Sequence, residues 1–365
     1  MLRALSLFSG IGGLDLAAQM AGIEASAFCE IEPFPVEVLT KRFPGVPIFD
    51  DVRKLKRGDI DGSIDIIHGG FPCQDLSTAG KRRGLSGERS GLWFEMLRVI
   101  SEFRPRYVLA ENVRGAVNLA LDTVYAGLED EGYEVRPHVI PASAVGAPHQ
   151  RERLFVFGVR ADVHRRYTEA MTNPGCELRQ GSEFDGAHEV EAGGMNDDKS
   201  ERSEGRLWPT PTASEGSVGE IVSSDDVYIQ NANGTFTKIN RKGKEWNVDL
   251  ARMVRLLAMP TSADTWSGAE LLEANGGRLN PDWVEQLMNF PEGWTDVNCD
   301  EPKPWQGWPA LLGQAQYPYE HPRTTTGGKD RTKRLKALGN AVVPAQAYPF
   351  FRAIAEIERS ITNDC

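Results

Sequence analysis

The chain has 365 residues, of which 40% are hydrophobic and 25% charged, ordinary for a globular protein and enough for two domains. It contains no run of about eighteen apolar residues, which excludes a membrane-spanning helix. A formal charge of −11 argues against a basic footprint over the whole surface, although a protein that holds DNA in a cleft needs only a local one.

The start, Met1 to Phe8, reads as a buried first strand rather than a signal segment, because Gly10 and Asp15 cut its apolar run short. Five scattered cysteines (Cys29, Cys73, Cys176, Cys299, Cys365), with no C-x-x-C pair, fit a reducing, cytoplasmic setting and suggest no metal site.

Strands are expected at 4–8, 25–30, 64–68, 107–110, 135–140 and 154–159, alternating with helices at 14–21, 36–42 and 92–103. In the last helix Leu92, Met96, Val99, Ile100 and Phe103 recur at helical spacing, and Pro105 marks the stop. This alternation predicts an α/β fold with a mostly parallel sheet, whose ligands bind at the carboxyl ends of the strands. From about 161 to 277 the composition turns polar, and 196–205 reads as a loop. Seven of the eight tryptophans lie beyond residue 200, so a small, aromatic-anchored unit is expected there. The segments Trp208-Pro209-Thr210-Pro211-Thr212 and Asn233-Gly234 read as turns. Helices return at 281–289 and at 345–361, the latter broken or kinked at Pro349.

Four segments carry chemistry. Phe8-Ser9-Gly10-Ile11-Gly12-Gly13 joins a strand to a helix, as a tight turn or as a loop that approaches a ligand closely. Its spacing is not G-x-G-x-x-G, so a nicotinamide site matches poorly. Gly70-Phe71-Pro72-Cys73-Gln74 presents a thiol after an apolar strand, and a thiolate there can act as a nucleophile. Glu111-Asn112-Val113 ends another strand. In Arg151-Glu152-Arg153, strand alternation would put both arginines on one face. The basic, glycine-rich stretch 77–91 has four cations against one acid and reads either as a loop that closes on phosphates or as a solvated one.

Taken in order, these motifs resemble the DNA (cytosine-5)-methyltransferase family of bacterial or phage type. Gly339-Asn340-Ala341-Val342-Val343-Pro344 resembles that family's last motif. The resemblance implies a Rossmann-like, S-adenosylmethionine-dependent methyltransferase fold with a smaller inserted target-recognition domain. The catalytic domain would comprise 1–165 plus 278–365, and the recognition domain 166–277. It implies that Cys73 attacks cytosine C6, that Glu111 acts at N3, that Arg153 holds O2 and that Arg151 steadies the nucleophile region. S-adenosyl-L-methionine would be bound by Phe8, Ser9, Gly10, Ile11, Gly13, Glu30, Ile31, Asp51, Val52, Pro72, Leu92, Asn340 and Ala341. Ser77, Lys81, Arg82, Arg83 and Arg89 would contact double-stranded DNA around a flipped base. His149 stands where many relatives carry glutamine. A monomer is expected, with a cognate restriction endonuclease as a possible partner and no metal or membrane.

Two rivals share the motifs. A tRNA cytosine-5 methyltransferase would use the same Cys and Glu, but the long middle segment favours a DNA reader. A non-catalytic DNA-binding relative would have no need of Cys73, Glu111 and Arg153 together.

Overall fold

The computed structural model describes residues 1–72, 91–118, 120–172, 207–215, 223–231, 236–257, 265–267, 277–312 and 314–363. Cys73, the loop through Ser90, the polar stretch 196–205 and the Asn233-Gly234 turn lie outside the described residues.

The apolar runs of the first 160 residues build one seven-stranded sheet. Its strands are β1 (Arg3–Leu7), β2 (Glu24–Cys29), β3 (Ile48–Phe49), β4 (Ile66–Gly70), β5 (Tyr107–Val113), β6 (Tyr133–Ile140) and β7 (Arg153–Arg160), in the order β3-β2-β1-β4-β5-β7-β6. Only β7 runs against its neighbours. β4 extends two residues further than alternation suggests, through Gly69 and Gly70. A Cβ on Gly69 would lie 2.2 Å from the Leu7 carbonyl oxygen and one on Gly70 2.6 Å from Glu111 Oε2, so these glycines let β4 press against β1 and β5 instead of ending it. β6 contains Pro137 and survives because it is an edge strand.

Helices cover the sheet. α1 (Gly13–Met20) and α2 (Pro33–Arg42) follow β1 and β2, and α3 (Gly91–Phe103) precedes β5. α3 buries Trp93, Met96, Val99, Ile100 and Phe103 as one stripe, each worth about 1.5–3 kcal/mol when fully buried. α4 (Leu121–Asp130) leads into β6, and α5 (Ala161–Thr172) follows β7. The last helices are α8 (Arg331–Asn340) and α9 (Pro344–Asn363). Of the break or kink expected at Pro349, the break does not occur: α9 runs on through it. The missing N–H costs on the order of 3 kcal/mol, and burial of Phe350, Phe351 and Ile354 beyond the proline offsets it. These three side chains share a core with Leu14, Ala17 and Ala18 of α1, so the end of the chain packs on its beginning.

Between them stands a four-stranded antiparallel sheet, β8 (Val227–Gln230), β9 (Phe236–Ile239), β10 (Glu245–Asn247) and β11 (Thr265–Ser267), in the order β10-β9-β8-β11. α6 (Leu250–Leu257) follows β10. A short ladder of β12 (Arg278–Leu279) and β13 (Thr324–Thr325) flanks α7 (Pro281–Leu287), which Asn280 caps by accepting from Asp282 N at 3.1 Å. Leu279, Trp283, Val284 and Leu287 share one apolar cluster with Trp208, Tyr228 and Met253. Packing is therefore continuous across residue 277.

Candidate active site

The carboxyl ends of the parallel strands gather most of the expected site residues on one edge of the sheet. After β1, Phe8, Gly10 and Gly12 have φ of 54°, 55° and 79°, a coil that turns the chain into α1. Among the described residues a Cβ on Gly10 would meet nothing within 4 Å, which leaves room beside this loop. Glu30, just past β2, accepts from Gly10 N at 2.7 Å and from the N–H groups of Ile31 and Glu32 at 2.9 and 2.8 Å. Burial pushes its pKa up, against the pull of these backbone donors.

Asp51 follows β3 and pairs with Arg53 at 2.9 Å, a contact that holds its pKa down, while the adjacent Val52 is buried. Ile31 is 66% exposed on the same edge. Pro72 follows β4, and Leu92 lies in the first turn of α3.

The last-motif segment reaches this loop as well. A Cβ on Gly13 would lie 2.8 Å from the Val342 carbonyl oxygen. Asn340 is exposed at the end of α8, and the Ala341 carbonyl is taken up by Arg151.

Glu111, near the end of β5, forms an ion pair with Arg153, Oε1 to Nε 2.9 Å, and both side chains are largely buried. Burial drives the Glu111 pKa up, while the cations of Arg153 and Arg151 draw it down. The carboxyl packs over Gly70, where a Cβ would sit 2.6 Å from Oε2. Beside it, buried Asn112 donates from Nδ2 to the Phe71 carbonyl at 3.0 Å and accepts from Val113 N at 2.8 Å. This contact ties the end of β5 to the chain two residues before Cys73.

Arg151 departs from expectation. It does not share a strand face with Arg153, because β7 begins only at Arg153 and Arg151 has φ 26°, which breaks the pleat. Residues 148–151 pair instead with 208–210: Trp208 N donates to the Pro148 carbonyl at 2.7 Å and Arg151 N to Thr210 Oγ1 at 3.2 Å. The expected turn at 208–212 is therefore extended chain, and the turn comes at residues 213–215. The buried Arg151 guanidinium donates to the carbonyls of Pro211 (2.7 Å), Gly339 (2.8 Å) and Ala341. Burial pulls its pKa well down, with Arg153 adding to the effect. His149 is buried against the Leu287 carbonyl at 3.0 Å, and burial pushes its pKa down to about 3, so it is neutral and donates from Nε2.

Several supports were not legible from sequence. Trp294 donates from Nε1 to the Ile11 carbonyl at 2.8 Å, bracing the glycine loop from 283 residues away. Gln346 donates to the carbonyls of Ile140 and Arg151. Behind the loop, Ser6 donates to Asp15 Oδ2 at 3.0 Å, and His68 Nε2 lies 3.4 Å from Asp15 Oδ1, all three fully buried. Asn112 lay inside a recognised motif. The other contacts join residues distant in sequence and leave no local signal.

The sheet order, the glycine loop after β1 and the acid at the end of β2 define a Rossmann-like methyltransferase fold. The family model for C-5 cytosine-specific DNA methylase matches residues 2–301, and the chain belongs to that family. It is 36% identical over 163 residues to Type II methyltransferase M2.BsuMI of Bacillus subtilis, covering 42% of this chain and 41% of that protein. It is 32% identical over 211 residues to Type II methyltransferase M.PspPI of a Psychrobacter species, covering 56% of this chain and 50% of that one. The chain thus spans half or less of the length of these curated relatives. Among solved structures, the S. pombe Dnmt2 methyltransferase superposes with a TM-score of 0.52 at 17% identity, covering 98% of this chain and 99% of its own, a likeness of fold.

The residues fit the nucleoside cofactor of such enzymes. Among the described residues nothing would meet a Cβ on Gly10 within 4 Å and Glu30 Oε2 accepts from Gly10 N alone, leaving it a lone pair for a ribose hydroxyl. Among the described residues no group of three or more His, Cys, Asp or Glu could hold a metal ion, and no helix is long and apolar enough to cross a membrane.

Proposed function

We propose that this protein methylates C5 of a cytosine within a short, specific sequence of double-stranded DNA. The observation that carries the reading is the buried Glu111–Arg153 pair, packed over Gly70 beside the chain that leads into Cys73.

The Cys73 thiolate adds to C6 of a cytosine turned out of the helix, forming an S–C6 bond and pushing the C5–C6 electron pair through the ring. Glu111, its pKa raised by burial, supplies a proton at N3 as charge develops there. Arg153 holds the Glu111 carboxyl in place and offers N–H donors to O2. The glycine loop, Glu30 and Asp51 would hold S-adenosyl-L-methionine, which would supply an electrophilic methyl group to C5 and keep the broken S–methyl pair as a neutral thioether. As C5 gains that carbon the ring electrons return and N3 gives its proton back to Glu111. Loss of the C5 proton to a base then re-forms the C5–C6 double bond and expels the Cys73 sulfur as thiolate. Arg151 serves this site indirectly, by fastening 148–151 to Pro211, Gly339 and Ala341.

The segment 166–277 would recognise the target, and the loop with Ser77, Lys81, Arg82, Arg83 and Arg89 would close over the DNA backbone. The relatives' names, Type II methyltransferases, favour a restriction-modification setting with a cognate endonuclease. A monomer is sufficient for the proposed chemistry.

The test is a duplex in which 5-fluorocytosine replaces the target cytosine. Fluorine cannot leave C5 as a proton does, so the wild type should remain covalently attached through denaturing electrophoresis, whereas Cys73→Ser should bind the duplex and release it. Equal attachment by both proteins would remove Cys73 from its role.

A further inference from the structure

The inserted sheet ends in a hairpin that the site chemistry does not use. β9 and β10 pair Ile239 with Glu245, Lys238 with Trp246 and Thr237 with Asn247. Across the 12 residues 236–247 the chain carries four cations, Lys238, Arg241, Lys242 and Lys244, against the single acid Glu245, in a protein of net charge −11. The turn is closed by its own backbone and by Asn240. Asn240 N donates to the Lys244 carbonyl at 3.1 Å, and its Oδ1 accepts from the N–H groups of Lys242 and Lys244 at 2.9 and 3.0 Å. Gly243 takes the left-handed φ of 71° that this turn needs. A turn fixed in this way presents its cations with little ordering left to be lost on binding.

The cations differ in availability. Lys238 is satisfied by Asp226 at 2.7 Å. The Arg241 side chain is 80% exposed and only 4.0 Å from its carboxylate neighbour Asp225, and among the described residues no carboxylate pairs with Lys242 or Lys244. Trp246 is 40% exposed, with Lys244 Nζ 5.1 Å and Lys238 Nζ 6.0 Å from its ring centroid. An indole left in solvent among cations gains little for folding. A flat apolar face ringed by positive charge complements a sugar-phosphate backbone.

We infer that the 236–247 hairpin clamps the backbone of the bound duplex, with Arg241, Lys242 and Lys244 on phosphates and Trp246 against the adjoining sugar. This rests on the proposal that the protein acts on DNA. It assigns the hairpin to affinity and not to sequence choice, since phosphate contacts are the same for every base. Lysines on an edge strand can also serve merely to prevent edge-to-edge pairing, but Arg241 and Lys242 sit in the turn, beyond the strands.

The experiment uses the full chain carrying Arg241→Ala, Lys242→Ala and Lys244→Ala together. Duplex affinity is measured across a salt series, and steady-state methylation alongside it. Each phosphate contact contributes about 0.9 to the slope of log affinity against log salt, so the slope should fall by roughly 2–3. The KM for DNA should rise on the order of tenfold, with kcat and the methylated sequence unchanged. Trp246→Ala should raise KM and leave the slope intact. Arg241→Lys should retain the wild-type slope, which separates charge from shape.

An unchanged slope and KM in the triple variant, while the wild type methylates DNA, would overturn the hairpin's role and leave the proposed function standing. A wild type that neither binds nor methylates duplex DNA would overturn both. Weakened binding to a tRNA transcript, with duplex binding intact, would reassign the hairpin to RNA and contradict the inference.

Discussion

In the proposed mechanism Glu111 must give up a proton and be held firmly enough to deliver it to one ring atom. Burial raises its pKa, which favours the protonated form, and the 2.9 Å contact with Arg153 fixes the carboxyl in place. Glu111→Gln keeps the size of the side chain and removes the transferable proton. Single-turnover methylation by that variant should slow by roughly 10²- to 10⁴-fold, with DNA affinity little changed. An unaltered single-turnover rate would exclude proton donation by Glu111. Asp15 is a second buried acid, pushed up to about 7 from the ordinary 3.8 by desolvation, with Ser6 donating to it and His68 beside it. A raised folded-state pKa means that the folded chain keeps this proton longer than the unfolded one. The associated stability is complete below about 3.8 and is lost as pH rises toward 7. The unfolding midpoint of Asp15→Asn, which has no proton to lose, should therefore gain on the wild type between pH 4 and pH 8. His68 titrates in both proteins and largely drops out of the difference, so a constant gap would refute the assignment to Asp15.

Six strands and the helices α1, α2 and α3 of the first 160 residues were legible because each satisfies a local rule, an apolar run closed by a polar turn or a stripe at helical spacing, whereas the two-residue β3 and α4 were not expected. Local rules failed where distant contacts decide the backbone. β4 continues through two glycines because β1 lies against Gly69 and β5 against Gly70, α9 crosses Pro349 because its apolar face is buried beyond it, and 208–210 forms no turn because Trp208 bridges His149 and Thr210 accepts from Arg151 N. The same pairing explains Arg151. Alternation would set it beside Arg153, but the positive φ turns it toward three carbonyls on two other segments. Arg151→Met would leave those buried carbonyls without donors and should destabilise the protein by about 2–4 kcal/mol, read as a lower denaturation midpoint. A midpoint equal to wild type would mean that the clasp adds nothing to stability.

Across the whole molecule, the glycine loop after β1 and the four-stranded sheet are joined by packing rather than by chain proximity. Trp294 braces Ile11, Val342 closes over Gly13, and the cluster around Trp208 and Trp283 crosses the expected boundary at residue 277. The order of the motifs was visible in sequence because each motif is short and most of them border a strand. Which side chains would read bases under the proposed function was not, because recognition surfaces carry no periodic pattern. The net charge of −11 likewise conceals the locally basic hairpin at 236–247. The central claim, cytosine C5 methylation at a defined DNA sequence, is tested most directly by bisulfite sequencing of DNA from a methylation-free host that expresses this chain. Cytosines protected within one short recurring sequence, and unprotected when Cys73→Ser is expressed instead, are the predicted result. Complete conversion at every site, with folded protein present in the cell, would contradict it.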